Sequence, residues 1–354
     1  MVGLALEGGG AKGAYQIGAY VALKKHVKKI DMIVGTSIGS INAAMICQGD
    51  IKKAMDLWAN VDVSVFGIDK NIIKDLKDDF NLNNVKAGLS ELKKVIKNKG
   101  IDTKGLKKLI DDNINEDKVR NSKIKFGLVT INLSDMRPME LTIDNIPNGK
   151  LNEYLLASCY LPVFKNEKII DDKFYLDGGF YNNLPISLLE NNGCKEIYAI
   201  RLNSLGRVKK YKSEVIEIKP NKSTGPMLLF DKNDVTNNIK MGYLDCLKKL
   251  NLVLGKTYYF KKKRFYFVNT SVVDEKTKKI IQLKFKTEDY KEVLYLAIEE
   301  ILFYNKLEVL KVYEINQILR FIKKNKLKCR SVIINDFIND VKCLLGWKID
   351  LMHI

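Results

Sequence analysis

The sequence predicts an α/β fold: a parallel sheet clad by helices in the first 203 or so residues, followed by a mostly helical extension over 204–354. Three observations carry this prediction. An apolar run, a glycine-bearing turn and a stretch of helical periodicity follow one another twice within the first 47 positions. Further short apolar runs recur up to Leu202, separated by turn residues, as buried strands of a parallel sheet do. Beyond that point apolar residues fall mainly at helical intervals.

The first unit runs from Val2 to Leu6, through Glu7-Gly8-Gly9-Gly10-Ala11-Lys12-Gly13, into a helix over Ala14 to Lys24. The second is Met32-Ile33-Val34, then Gly35-Thr36-Ser37-Ile38-Gly39, then a helix over Ser40 to Cys47. Residues from about 50 to 122 are Lys-rich and helical in pattern, with breaks near Gly67 and Gly100, and are expected to form a cap over the sheet edge. Ile124 to Leu133 reads as a buried strand, Glu140 to Ile143 as a short one, and Leu151 to Cys159 as a helix halted by Pro162. Phe174-Tyr175-Leu176 leads into Asp177-Gly178-Gly179, and Ile197 to Leu202 supplies another strand. In the extension, helices are expected from Val235 to Leu254, across Tyr290 to Lys323 and from Val332 to Leu345, with a β-like run at Phe265 to Val268.

The chain has 354 residues, 46% of them hydrophobic and 29% charged, enough to bury a large core in one main domain plus a smaller addition. Its formal charge of +18 draws polyanions, either nucleic acid or an anionic lipid surface. The Lys-, Ile- and Asn-rich usage also fits a genome that writes lysine at any solvated position. The basic clusters are Arg207 to Lys212, Lys261 to Arg264 and Lys323 to Arg330. Six cysteines with no Cys-x-x-Cys spacing suggest neither a zinc ribbon nor a disulfide framework, and a reduced, cytoplasmic compartment is expected. The first residues carry no basic leader, and no run approaches the roughly 20 apolar residues of a membrane span. Any meeting with a membrane is therefore expected to be peripheral.

Gly35-Thr36-Ser37-Ile38-Gly39 fits a nucleophile elbow, in which a serine sits on a tight strand-to-helix turn. The flanking glycines let the two backbones approach, and a helix starting there aims N–H groups and a positive dipole at a developing oxyanion. The loop with Gly8, Gly10 and Gly13 invites a dinucleotide reading, but the acid due at the end of the next strand is missing: Asp31 precedes that strand, which ends in the serine turn. Gly8-Gly9-Gly10 is better suited as a row of unhindered N–H donors facing an oxyanion. A plain tight turn is the alternative.

A serine nucleophile needs a base, and the chain has only two histidines, His26 and His353. His26 precedes the strand whose far end carries Ser37, and His353 is the penultimate residue. A carboxylate is thus the expected base, with Asp177 the candidate. An isolated Asp-Gly pair is more often a hairpin turn, and an ordinary carboxylate is too weakly basic, so its site has to be desolvated.

Together these features resemble the patatin-like phospholipase family, in its bacterial members. The resemblance rests on Gly8-Gly9-Gly10-Ala11-Lys12-Gly13, on Gly35-Thr36-Ser37-Ile38-Gly39 and on Asp177-Gly178-Gly179, in that order, and covers about residues 1–203. Ala157-Ser158 with Pro162 and Phe164, and Asn183 with Pro185, add to it. It implies a three-layer α/β/α fold and hydrolysis of fatty-acyl esters of phospholipids or lysophospholipids without metal or cofactor. It also implies a Ser37–Asp177 dyad and an oxyanion held by the N–H groups of Gly9 and Gly10. Lys12 stands where the family has a basic residue, which either orders the loop or meets a phosphate. The extension carries no recognised motif and is expected either to pack over apolar surface or to dock on a membrane or partner. Two rivals remain: a dinucleotide-dependent oxidoreductase built on the glycine loop, and a basic nucleic-acid or membrane binder on a dead hydrolase fold. No nucleic acid is expected as partner under the leading reading.

Overall fold

Seven strands form the main sheet: β1 (Val2–Leu6), β2 (Met32–Thr36), β3 (Lys125–Asn132), β4 (Arg137–Thr142), β5 (Tyr175–Asp177), β6 (Glu196–Ile200) and β7 (Val215–Ile218). Their order is β4-β3-β2-β1-β6-β7, with β5 also paired to β3. The structure is a computed structural model that describes residues 1–27, 29–61, 100–225, 232–262 and 266–345. The β3–β2–β1–β6–β7 pairs are parallel, whereas β4 and β5 run antiparallel to β3.

Continuous apolar runs mark strands buried on both faces. Ala5, Met32, Val34, Ile197 and Ala199 face a core shared with Ile186, Leu188 and Leu189 of the helix Ile186–Asn191. The alternate residues Leu4, Leu6 and Ile33 are equally buried on the opposite face. There the helices α1 (Ala14–His26) and α2 (Ile38–Cys47) close the third layer. The expected α/β/α sandwich is the architecture found.

The chain divides into two compact units, Met1–Cys246 and Leu247–Ile354. Residues beyond 203 thus continue the first unit, because β7 pairs with β6 and the helix Lys232–Lys249 lies directly on α1. A Cβ on Gly18 would sit 1.9 Å from the Ile239 carbonyl oxygen, and one on Gly242 2.0 Å from that of Tyr15, so two glycines set this close crossing. The cap expected over about 50–122 falls mostly on 62–99, outside the described residues. Its described parts include the helices Ile51–Asn60, Lys104–Asn113 and Glu116–Arg120.

The second unit has a core of its own, built on Phe260, Val293, Leu294, Ile298, Ile301, Ile334 and Phe337. It is less purely helical than expected. The helical periodicity expected across Tyr290 to Lys323 takes the form of two helices, Tyr290–Tyr304 and Ile315–Lys324, with Lys306 at φ 54° and the short strand Val312–Tyr313 between them. Val332–Asp340 is helical, but Lys342–Leu345 pairs antiparallel with Tyr266–Asn269 as a strand. The helix expected to reach Leu254 stops at Lys249, and Val253–Leu254 pairs with Tyr259–Lys261 after a turn with Asn251 at φ 59°. Short apolar runs fit either element, and long-range pairing decides between them. Among the described residues no helix is long and apolar enough to cross a membrane.

Candidate active site

β2 ends at Thr36 and α2 starts at Ile38, so Ser37 alone forms the turn. Its φ of 55° lies in the left-handed region that non-glycine residues rarely adopt. A Cβ on Gly35 would stand 2.1 Å from the Gly39 carbonyl oxygen, and one on Gly39 2.5 Å from the Leu6 carbonyl oxygen. Both positions have to be glycine for strand and helix to meet this closely. The Ser37 carbonyl accepts the N–H and hydroxyl of Ser40 at 2.8 and 2.6 Å, and its own N–H donates to Ser158 Oγ at 3.0 Å.

The carboxylate arrives along β3. Thr36, the residue before the serine, pairs with Val129, and Asp177 pairs with Thr130. Because β4 occupies the other edge of β3, β5 continues the line of β2, and the two strand ends meet. Val129 lies at this join. Its carbonyl accepts the Ser158 hydroxyl at 2.7 Å, and the Ser158 carbonyl takes the Gly178 N–H at 3.3 Å. Ser158 therefore ties the serine turn and the Asp177-Gly178-Gly179 turn to one strand.

Asp177 is 3% exposed, and burial raises its carboxyl from 3.8 to about 6. The Ser37 side chain and the Gly179 N–H favour the ionised form and limit that rise. Oδ1 accepts from the Gly179 N–H at 2.7 Å, and Oδ2 is buried with no hydrogen bond of ordinary geometry. An acceptor left open beside a serine hydroxyl is what a general base requires. The thiol of Cys159, buried near Ser37, Ser40 and Asp177, is held well above the ordinary range, chiefly by burial and further by the Asp177 charge. It stays neutral and is a poor nucleophile.

The glycine loop passes the same point, since a Cβ on Gly8 would lie 3.2 Å from Ser37 Cβ. Of the three expected donors, Gly8 is already engaged: its N–H donates to the Asn183 carbonyl at 3.0 Å. This corrects the expectation for Gly8 and leaves Gly9 and Gly10, whose amides donate to no protein acceptor among the described residues. Gly10, at φ 56°, turns the chain, and Gly13 lets the ring of Trp58 close within 2.5 Å of where a Cβ would stand. Glu7, buried before the loop, accepts from the Leu202 N–H and lies 3.4 Å from Arg201 Nη2. Lys12 is half-buried, and burial lowers its pKa while the charge of Glu7 partly restores it.

A strap over 202–209 was not anticipated. The Asn183 N–H donates to the Arg207 carbonyl at 2.6 Å, the Arg207 N–H to the Gly179 carbonyl at 2.9 Å, and Asn183 Nδ2 to the Gly8 carbonyl at 3.3 Å. The aspartate turn is thus fastened to the glycine loop through Asn183. No local pattern in 202–209 signals this, because the bonds are made by backbone atoms. His26 ends α1 at the opposite end of β2 from Ser37, and His353 lies outside the described residues. Beside Ile38, the residue after the serine, an apolar crevice is lined by Ile38, Ile41, Leu57, Trp58, Val61 and Leu109.

The family model "Patatin-like phospholipase" matches residues 4–189. The neuropathy target esterase sws of Drosophila melanogaster is 24% identical over 273 residues, 73% of this chain and 17% of that protein. A lysophospholipase of Meyerozyma guilliermondii, NTE1, is 27% identical over 207 residues, 58% of this chain and 13% of that protein. A probable lipid hydrolase of Invertebrate iridescent virus 6, 463L, is 25% identical over 189 residues, 52% of this chain and 62% of that protein. The chain thus spans less than two thirds of each of these relatives.

Proposed function

Since the chain belongs to the patatin-like phospholipase family, we propose that it is a lipid acyl hydrolase of the phospholipase A or lysophospholipase type, working through a Ser37–Asp177 dyad. The observation that carries this reading is the meeting of β2 and β5 on adjacent residues of β3, which sets a strained serine beside a buried carboxylate with one open oxygen.

In the first step Ser37 Oγ bonds to the ester carbonyl carbon while its proton passes to Asp177 Oδ2. The oxyanion is held by the Gly9 and Gly10 N–H groups, with the positive end of α2 behind the serine. Collapse breaks the ester C–O bond, and the leaving alcohol takes the proton from Asp177. Water then attacks the acyl-serine, giving one proton to Asp177, which returns it to Ser37 Oγ as the fatty acid departs. The protein meets lipid peripherally, through basic surface, in a reduced compartment where its six cysteines, none of them in a disulfide, stay as thiols.

The test is incubation with mixed phospholipids and lysophospholipids, with free fatty acid followed by mass spectrometry. Release that disappears in Ser37→Ala is expected. A folded wild-type protein that frees no fatty acid from any of these lipids would sink the reading.

A further inference from the structure

The basic clusters are not equivalent in the structure. In the first, Lys209 Nζ is 3.2 Å from Glu140 Oε1 and 3.1 Å from the Tyr181 hydroxyl. In the second, Lys261 Nζ is 3.1 Å from Glu314 Oε1, and Lys262 donates to the Asn251 carbonyl at 3.1 Å. These lysines hold structure together. In the third cluster only Lys323 does so, donating to the Asn339 and Val341 carbonyls at 2.8 and 2.7 Å. Lys324, Lys326, Lys328 and Arg330 are exposed, with no acidic partner among the described residues. No acid occurs anywhere from Phe321 to Val332.

What lies beside those cations is apolar. Asn305 Nδ2 donates to the Lys328 carbonyl at 2.9 Å, which brings the end of the helix Tyr290–Tyr304 against the loop after Ile315–Lys324. The Arg330 guanidinium stands 6.0 Å from the centre of the Tyr304 ring. At this end Phe303 is 70% exposed, Tyr304 51% and Val332 71%. One exposed apolar residue is ordinary. Two aromatic side chains and a valine set among four cations that lack an acidic partner among the described residues are not.

We propose that this end of the second unit is a docking surface for an anionic lipid bilayer. Phe303, Tyr304 and Val332 enter the interfacial layer, and Lys324, Lys326, Lys328 and Arg330 meet lipid phosphates. Lysines near a helix C-terminus also satisfy the helix dipole, which accounts for Lys324 but not for Lys326, Lys328 or the apolar side chains. A protein partner fits less well, because lysine is depleted in the dry centre of protein interfaces. Duplex DNA has a use for the cations and none for Phe303 or Val332. The choice of lipid as partner rests on the proposed hydrolase reading, and the test below measures binding apart from catalysis.

The 354-residue chain carrying Ser37→Ala is sedimented with phosphatidylcholine vesicles, with and without phosphatidylglycerol, and titrated with duplex DNA at matched salt. Two further sets are compared on this background: Phe303→Ser with Val332→Ser, and Gln at Lys324, Lys326, Lys328 and Arg330. Each set is expected to raise the lipid needed for half-maximal binding to anionic vesicles by at least about tenfold. With Ser37 restored, both sets should hydrolyse a soluble short-chain ester at the wild-type rate, which shows that the fold persists. Unchanged vesicle binding in either set would overturn the proposal, as would equal binding to neutral vesicles. Loss of DNA and vesicle binding through the charge set alone, with no effect of Phe303→Ser and Val332→Ser, would assign the surface to nucleic acid instead.

Discussion

Thr36 and Asp177 pair with adjacent residues of one strand, Thr36 with Val129 and Asp177 with Thr130. That relationship, more than any loop, brings a serine and a carboxylate 140 positions apart in sequence to one point. The join is closed by Ser158, which accepts the Ser37 N–H and donates to the Val129 carbonyl.

Ser158→Ala should therefore weaken both turns. It leaves a buried carbonyl and the Ser37 amide without partners, a loss of about 1–3 kcal/mol in stability. Thermal melting reads that loss, and steady-state kinetics should show kcat falling more than KM rises. An unchanged melting temperature and unchanged kcat would remove Ser158 from the support of the site.

Ser37→Ala and Asp177→Asn should each lower ester hydrolysis by several orders of magnitude, and the double variant should be little slower than either single one. If Asp177→Asn retains more than about a tenth of the rate, Asp177 is not the base.

The carboxyl of Asp177 is raised by burial from 3.8 to about 6, and only its ionised form accepts the Ser37 proton. Turnover should fall as pH drops through about 6 and level off above it. Stability runs the other way. Between 3.8 and about 6 the folded state holds a proton that the unfolded chain has released, so this group's contribution is full below that window and lost as pH rises through it. Asp177→Asn should thus gain in melting temperature relative to wild type, more at about pH 8 than at about pH 4. An equal difference at both pH values would show a carboxyl with ordinary proton affinity.

Much of the site is legible in the sequence because its constraints are local. Gly35 and Gly39 flank Ser37 since no side chain fits between β2 and α2 at the first or between α2 and the end of β1 at the second, and the Asp177-Gly178-Gly179 turn is close to Val129 for the same reason: a Cβ on Gly178 would be 2.2 Å from the Val129 carbonyl oxygen. The exclusion of His26 also follows from order along the chain, since it ends α1 while Ser37 follows β2. What does not show is long-range backbone pairing. Nothing around Val215 announces a strand that extends the sheet beside β6, and nothing in Gly8 shows that its amide is taken by Asn183. The break between the helices Tyr290–Tyr304 and Ile315–Lys324 has the same origin, because Val312–Tyr313 becomes a strand only by pairing with Tyr259–Phe260.

The most direct measurement is covalent labelling with a fluorophosphonate, followed by peptide mapping of the modified residue. Ser37 is the one hydroxyl placed on a strained turn beside an open, buried carboxylate oxygen among the described residues. Stoichiometric modification of Ser37 is expected, slowed strongly in Asp177→Asn and absent in Ser37→Ala. Modification of a different residue in the folded protein, or labelling that survives Ser37→Ala, would contradict the assignment of Ser37 as nucleophile.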